Sequence, residues 1–158
     1  MGIVDSGDWP VLDAAEKDAL TSTWTILYGQ AKENGTKMLA RFLIANPNAR
    51  VFFKKFEGLA ITEDCNFAEV NDHAVRIMDA INKLVVNVND PSKQKEQLDA
   101  LSLKHVNDFK VDKKYFKVLC QVILDVASEK LGKPLKDNVV TAWEKLLSIV
   151  CIGLQCKY

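Results

Sequence analysis

The chain contains two histidines, His73 and His105, and each shares a helical face with apolar residues. His73 lies three residues after Val70 and four before Ile77, while His105 lies four residues after Leu101. At about 3.6 residues per turn, these spacings place both imidazoles among hydrophobic side chains. Burial disfavours the protonated ring, so we expect both histidines to be neutral, the form whose ring nitrogen binds a metal. A lone histidine on an apolar face is more often a hydrogen-bonded core residue, but here both histidines of the chain share the pattern.

The kind of metal site follows from the small number of ligands. Two histidines without carboxylates at helical spacing are too few for a tetrahedral zinc site, and the four cysteines form no CxxC pair. An iron already held by four porphyrin nitrogens needs only one or two axial ligands and a dry, aromatic slot for the macrocycle. The cluster of Phe52, Phe53 and Phe56 can supply that lining, or it can be ordinary core. The residues therefore favour a haem iron over zinc.

Apolar residues recur at helical spacing almost throughout the chain, so we expect helices to position these side chains. Residues 13–16 predict a capping box at the start of the first helix, Pro47 ends the second, and Asp112 can cap a later one. We interpret Asn34 and Gly35 as a corner between helices. There is no alternating strand pattern and no internal repeat. The prediction is one all-α domain of about seven or eight helices.

Composition excludes several classes of function. The chain has 158 residues with 21 basic and 21 acidic side chains interspersed along it, so no basic face for nucleic acid is indicated. No apolar run approaches the roughly 20 residues of a membrane span, and a secretory signal is not evident. We therefore expect a cytoplasmic protein that does not insert stably into membranes. Cys120 and Cys151 fall on apolar stripes and are expected to be buried.

The order of these features resembles the globin family over residues 12–158. The resemblance rests on three features: the proline-to-phenylalanine spacing, the two histidines 32 residues apart and the sequence around His105, LSLKHVNDFKVDKKYFKVL. That sequence is most similar to haemoglobins of jawless vertebrates or other deuterostomes. The matching residues are Trp24, Pro47, Phe53, Phe56, His73, His105, Phe116, Lys157 and Tyr158.

The resemblance implies haem b as cofactor and assigns a side of the haem to each histidine. His105 is the implied proximal iron ligand, with its other ring nitrogen donating to a backbone carbonyl near Leu101. His73 is the implied distal histidine, which donates a hydrogen bond to bound dioxygen or binds the iron directly. Phe53 is expected to pack flat against the porphyrin, with Phe56 behind it.

The rest of the pocket is also implied by the resemblance. Arg76 and Lys55 are expected near the haem propionates, although such exposed charges are as readily explained by solvation alone. Lys113 departs from many globins, in which a proline often opens the following helix. The implied lining residues are Leu39 and Ile77 on the distal side and Leu101, Val111 and Phe116 on the proximal side.

The first 11 residues form an N-terminal extension before the expected globin domain. Residues 1–6 fit the pattern for N-myristoylation, M-G-x-x-x-[ST]. No polybasic segment follows as the second signal that stable anchoring requires, so we interpret the extension as a free or acetylated disordered tail.

Reversible dioxygen binding, for transport or storage, is the implied function, and we expect no enzymatic activity. The alternatives are a six-coordinate globin that senses redox state or ligands, and a nitric oxide dioxygenase or nitrite reductase. Turnover in an enzyme would need an outside electron donor, because the chain carries no flavin or nicotinamide motif. We also expect a homodimer or ligand-dependent self-association, since a net charge of zero removes long-range repulsion.

Overall fold

The computed structural model describes residues 2–158, and the predicted all-α fold is confirmed. No β-strand occurs within these residues. Two short 3-10 helices, Pro47–Phe52 and Lys54–Phe56, connect α2 to the segment before α3, and a π-helical turn, His105–Phe109, extends α4. The α-helices are α1 (Ala14–Tyr28), α2 (Ala31–Ala45), α3 (Ala68–Val86), α4 (Pro91–Lys104), α5 (Lys114–Leu131) and α6 (Asp137–Leu154).

Local hydrogen bonds define where several helices begin. The capping box predicted at α1 is present: the Glu16 amide donates to Asp13 at 2.8 Å, and the Asp13 amide donates to Glu16 at 2.9 Å. The Lys93 amide donates to the Asp90 carboxylate at 3.2 Å in the first turn of α4. Asp112 accepts from the Lys114 amide at 3.1 Å, so it satisfies a free donor at the start of α5 as predicted.

The corner predicted at Asn34 and Gly35 is wrong, because both residues are buried inside α2. The chain turns earlier, at Gly29, where α1 ends. Asn34 donates from its side-chain amide to the Leu27 carbonyl at 2.9 Å and so satisfies an acceptor at the end of α1. Gly35 packs against α3, where a Cβ atom would lie 2.8 Å from the Met78 Cγ atom. Tertiary packing therefore overrides the turn tendency of the dipeptide.

Two hydrophobic clusters stabilise the fold. The larger one joins all six α-helices and includes Trp143, whose indole N–H donates to Thr23 at 2.9 Å. The smaller one joins α2, the two 3-10 helices and α3, and its member Phe56 contacts the His73 ring. Fully burying each large apolar side chain is worth roughly 1.5–3 kcal/mol. Members of the smaller cluster are Leu39, Phe42, Leu43, Ala49, Phe56, Val70 and Ala74.

The expected disordered N-terminal tail is wrong for the part that the structure describes. Ile3 is only 5% exposed and belongs to the larger cluster, and the Val4 amide donates to the Ser148 hydroxyl at 2.9 Å. The Lys145 ammonium donates to the Val11 carbonyl at 2.9 Å. The extension therefore packs on α6, because Ile3 joins the larger cluster and side chains of α6 bind the Val4 amide and the Val11 carbonyl. Met1, the first residue of the myristoylation pattern, lies outside the described residues.

The cysteines and the membrane prediction can also be compared with the structure. Cys120 and Cys151 are buried as predicted, and the adjacent Cys151 thiol together with burial raises the pKa of Cys120 well above its usual range. Cys65 and Cys156 are free thiols that are half-buried and exposed, respectively. Among residues 2–158, no helix is long and apolar enough to cross a membrane.

Candidate functional site

The C-terminal end of α4 presents His105 with one ring nitrogen already occupied. Its Nδ1 atom lies 2.6 Å from the carbonyl oxygen of Leu101, one turn earlier in the helix. A carbonyl oxygen can only accept, so Nδ1 carries the proton and donates it, and Nε2 is left with a free lone pair. Burial lowers the pKa of His105, and the hydrogen bond to Leu101 opposes this. His105 is therefore held as a neutral imidazole of one tautomer, which is the form that binds a metal.

Aromatic edges fix the rotation of the His105 ring. Phe109 and Phe116 contact it edge to face, with ring centroids at 5.3 and 5.4 Å and interplanar angles of 85° and 83°. Phe109 belongs to the π-helical turn, which Lys110 closes in a left-handed conformation with φ of 52°. Phe109 is not among the residues predicted for the site from the sequence. Its spacing of four residues from His105 was the available signal, since residues i and i+4 share a helical face.

The C-terminal residue closes the same side of the site. The Tyr158 hydroxyl donates to the Val111 carbonyl at 2.6 Å, and the Tyr158 ring contacts Phe116 at 5.5 Å. The Val111 amide in turn donates to the His105 carbonyl at 3.0 Å. Of the two predicted lining residues after His105, Phe116 contacts the imidazole with its ring, while Val111 is connected to it through the backbone. Tyr158 matched the family pattern, but its contact with Val111 was not predicted.

α3 presents His73 to two stacked phenylalanine rings. Phe53 and Phe56 are parallel within 2° at a centroid distance of 5.1 Å. The His73 ring stands perpendicular to both, at 5.0 Å from Phe53 and 6.0 Å from Phe56. Within residues 2–158, the His73 side chain makes no hydrogen bond to another protein group. Both of its ring nitrogens therefore remain available to something that enters the site.

Electrostatics connects His73 to the rest of the predicted site. Burial and, after it, the charges of Arg76, His105 and Lys55 together lower the pKa of His73 to about 4. Arg76 and Lys55 are exposed and form no ion pair among the described residues.

The predicted apolar lining residues lie on both sides of the site. Leu39 is fully buried in the same cluster as Phe56, and Ile77 packs against both hydrophobic clusters. Leu101 is half-buried, and its side chain packs on the larger cluster while its carbonyl holds His105. The predicted apolar lining residues of α2, α3, α4 and α5 are thus buried or half-buried, and their contact with a haem stays a prediction.

The donor set of the site fits a metal that arrives with ligands of its own. No group of three or more histidine, cysteine, aspartate or glutamate side chains that could hold a bare metal ion occurs in the described part of the chain. What the site does offer is one free nitrogen lone pair on His105, a second neutral imidazole on His73 and aromatic walls on both sides. This combination suits an iron porphyrin, which needs axial nitrogen ligands and an apolar slot.

Fold and site together define an all-helical protein in which an imidazole on each of two different helices contacts aromatic rings. The family model described as Globin matches residues 36–154. Globin-3 of Mordacia mordax is 38% identical and Globin-1 of Petromyzon marinus 39% identical, each over the full length of both chains. Cytoglobin-2 of Danio rerio is 32% identical over 88% of this chain and 78% of its own length. The chain belongs to the globin family, and the predicted similarity to globins of jawless vertebrates is confirmed.

Proposed function

We propose that the protein holds haem b and binds dioxygen reversibly, for transport or storage. The observation that carries this proposal is the hydrogen bond from His105 Nδ1 to the Leu101 carbonyl, which leaves a single nitrogen lone pair beside aromatic walls. When bound, the haem would supply an iron that takes a nitrogen ligand from the protein and can bind a diatomic molecule. Membership of the globin family supports the same cofactor.

His105 is the proposed iron ligand, through Nε2. The Leu101 carbonyl keeps the proton on Nδ1, which fixes the tautomer and increases the basicity of the opposite nitrogen. The edges of Phe109 and Phe116 resist rotation of the ring. Together these contacts hold Nε2 in one direction, so little conformational entropy remains to be lost when the iron binds.

His73 is the proposed hydrogen-bond donor to dioxygen. Because burial keeps its pKa near 4, the ring is neutral at physiological pH and carries one N–H and one free nitrogen. Phe53, Leu39 and Ile77 exclude water from the same space, which strengthens a polar interaction made there. Arg76 and Lys55 are the proposed partners of the haem propionates.

We further propose a binding role without catalysis, a cytoplasmic location and self-association as a homodimer. The alternative is a six-coordinate globin, acting as a redox or ligand sensor or as a nitric oxide dioxygenase. The absence of any protein hydrogen bond to His73 in the described residues favours this alternative, because such a ring is free to bind the iron itself. Both functions use the same two histidines and differ in what His73 binds at rest.

The absorption spectrum of the reduced, ligand-free protein tests the proposal. One broad visible band would show that His73 leaves the sixth position open, as reversible oxygen binding requires. Two sharp bands that merge into one broad band in His73→Leu would show direct ligation by His73 and favour the alternative. A protein that binds no haem in either variant would overturn both.

Self-association is tested by sedimentation at high micromolar concentration, with and without carbon monoxide. If ligation changes dimer affinity, then linkage requires protein concentration to change oxygen affinity. The second measurement is therefore oxygen half-saturation across a hundredfold range of protein concentration. A monomer under all conditions, with constant half-saturation, would contradict the proposed dimer and leave a simple storage or sensing protein.

A further inference from the structure

Arg50 makes an unusual use of its guanidinium group. It lies in the first 3-10 helix, Pro47–Phe52, and forms no ion pair with a carboxylate among the described residues. Instead its Nη2 atom donates to two backbone carbonyls, that of Phe56 at 2.7 Å and that of Leu59 at 2.9 Å. Hydrogen bonds from a charged donor are roughly twice as strong as neutral ones. Arg50 therefore stabilises whatever conformation the segment from Phe56 to Leu59 must hold.

That segment is a tight turn which has few other internal restraints. The Leu59 amide donates to the Phe56 carbonyl at 3.0 Å, and Gly58 adopts a positive φ of 80° to complete the turn. The Phe56 carbonyl thus accepts from the Leu59 amide as well as from Arg50. Because the second 3-10 helix has only three residues, its own hydrogen bonds contribute little to its stability. The guanidinium of Arg50 is the side-chain clamp on this turn.

The turn controls the distal imidazole through one aromatic ring. Phe56 is 2% exposed, stacks on Phe53 and contacts the edge of His73. The His73 side chain has no hydrogen bond within residues 2–158, and the rings of Phe53 and Phe56 are aromatic contacts that restrict its orientation. A change in the backbone position of Phe56 must therefore be transmitted to the direction in which His73 points its ring nitrogens.

We propose that Arg50 is a positioning residue for His73: by clamping the Phe56 turn, it aims the distal imidazole at the ligand. This inference rests on the proposed function, in which His73 donates a hydrogen bond to dioxygen. Carbon monoxide gains much less from such a bond, because its complex with iron carries less negative charge on the ligand. Loss of the Arg50 clamp should therefore affect the two ligands differently.

Arg50→Met removes the donors, and Arg50→Lys keeps a charged donor but places it on a shorter side chain than the one whose Nη2 atom reaches both carbonyls. Weakening one hydrogen bond worth roughly 0.5–1.5 kcal/mol corresponds to a change of about twofold to tenfold in a rate. We expect Arg50→Met to accelerate oxygen dissociation within that range and to leave carbon monoxide dissociation nearly unchanged. Arg50→Lys should accelerate oxygen dissociation less. It also provides a second test if the methionine variant folds poorly.

Two further measurements separate positioning from a general loss of structure. In a His73→Leu background, Arg50→Met should produce no additional acceleration, because the residue through which Arg50 acts is gone. In the carbon monoxide form, the ring proton shifts of His73 should move in Arg50→Met. The matched control, Arg41→Gln, removes an arginine that pairs with Glu63 and Glu129 on the surface, and it should leave both the rates and the shifts unchanged.

The outcomes distinguish this inference from the proposed function. If His73→Leu accelerates oxygen dissociation but Arg50→Met does not, the positioning role is overturned while the role of His73 stands. An equal effect of Arg50→Met with and without His73 also overturns it. If His73→Leu leaves oxygen dissociation unchanged, the proposed function loses its distal donor. In that case, the proton chemical shifts of the His73 ring decide the positioning role. If they are unchanged in Arg50→Met, the role is overturned, and if they change, it is supported.

Discussion

Replacing Gly35 by alanine tests the crossing of α2 and α3, the two helices that meet beside His73. A Cβ atom built on Gly35 would lie 2.8 Å from the Met78 Cγ atom, 3.0 Å from the Ala74 carbonyl oxygen and 3.2 Å from the Ala74 Cβ atom. Both neighbours are fully buried. The added methyl group therefore has no space, and α3 must move away from α2 to accommodate it.

The expected loss of stability combines two opposing effects. Overpacking a well-packed core costs roughly 1–3 kcal/mol, and the upper half of that range applies because one nearest atom is a backbone oxygen that cannot rotate away. Alanine in place of glycine inside a helix returns roughly 0.5–1 kcal/mol. The net loss in the free energy of unfolding is then about 1–2.5 kcal/mol. For a chain of this size, the melting temperature should fall by about 2–10 °C.

Thermal unfolding followed by far-ultraviolet circular dichroism measures this loss, with Gly29→Ala as the matched control. A Cβ atom at Gly29 would lie 3.4 Å from the Ile26 carbonyl oxygen, an ordinary contact, and the backbone there is right-handed helical with φ of −60°. We expect that variant to be as stable as the natural chain or slightly more so. Equal melting temperatures for the two glycine variants would refute the packing argument. Because Ala74 directly follows His73, Gly35→Ala should also change the rate of oxygen dissociation.

His105→Gly should lose most of its haem affinity, and free imidazole should restore part of it, as measured by haem titration; unchanged affinity would contradict the proposed ligand. In the haem-free protein, His73 has a pKa of about 4 when folded and about 6.5 when unfolded, so the unfolded chain takes up the proton first. Stability should therefore fall by up to about 3 kcal/mol between pH 6.5 and pH 4, and His73→Leu should fall by correspondingly less in urea titrations. Mass spectrometry after thiol labelling should show Cys156 modified in the native protein, whereas Cys120 and Cys151 react only after denaturation.

Features encoded by short sequence spacing could be predicted. The capping box of α1 depends on residues three apart, and its hydrogen bonds are present. The spacing of Val70, His73 and Ile77 predicted a shared helical face, and all three residues lie in α3. The hydrogen bond from His105 to a carbonyl near Leu101, which the globin resemblance implied, is present and spans one helical turn.

Features that depend on distant parts of the chain were wrong or missed. An Asn-Gly pair is a turn signal on its own, but Asn34 and Gly35 are buried because α1 and α3 pack against them. The N-terminal extension was interpreted as a disordered tail, yet Ile3 packs in the larger cluster. The contact between Tyr158 and Val111 joins residues 47 positions apart, and no local pattern indicates it.

This difference between local and distant contacts also separates the two sides of the site. On the proposed proximal side, His105 is held by Leu101 and Phe109, each four residues away along the same stretch of helix. On the proposed distal side, His73 contacts Phe53 and Phe56, which belong to another segment of the chain. The distal arrangement therefore depends on several independent contacts, any of which a substitution can shift without unfolding the chain. Ligand affinity should consequently be easier to change by mutation from the distal side, while mutations around His105 should mainly change haem retention.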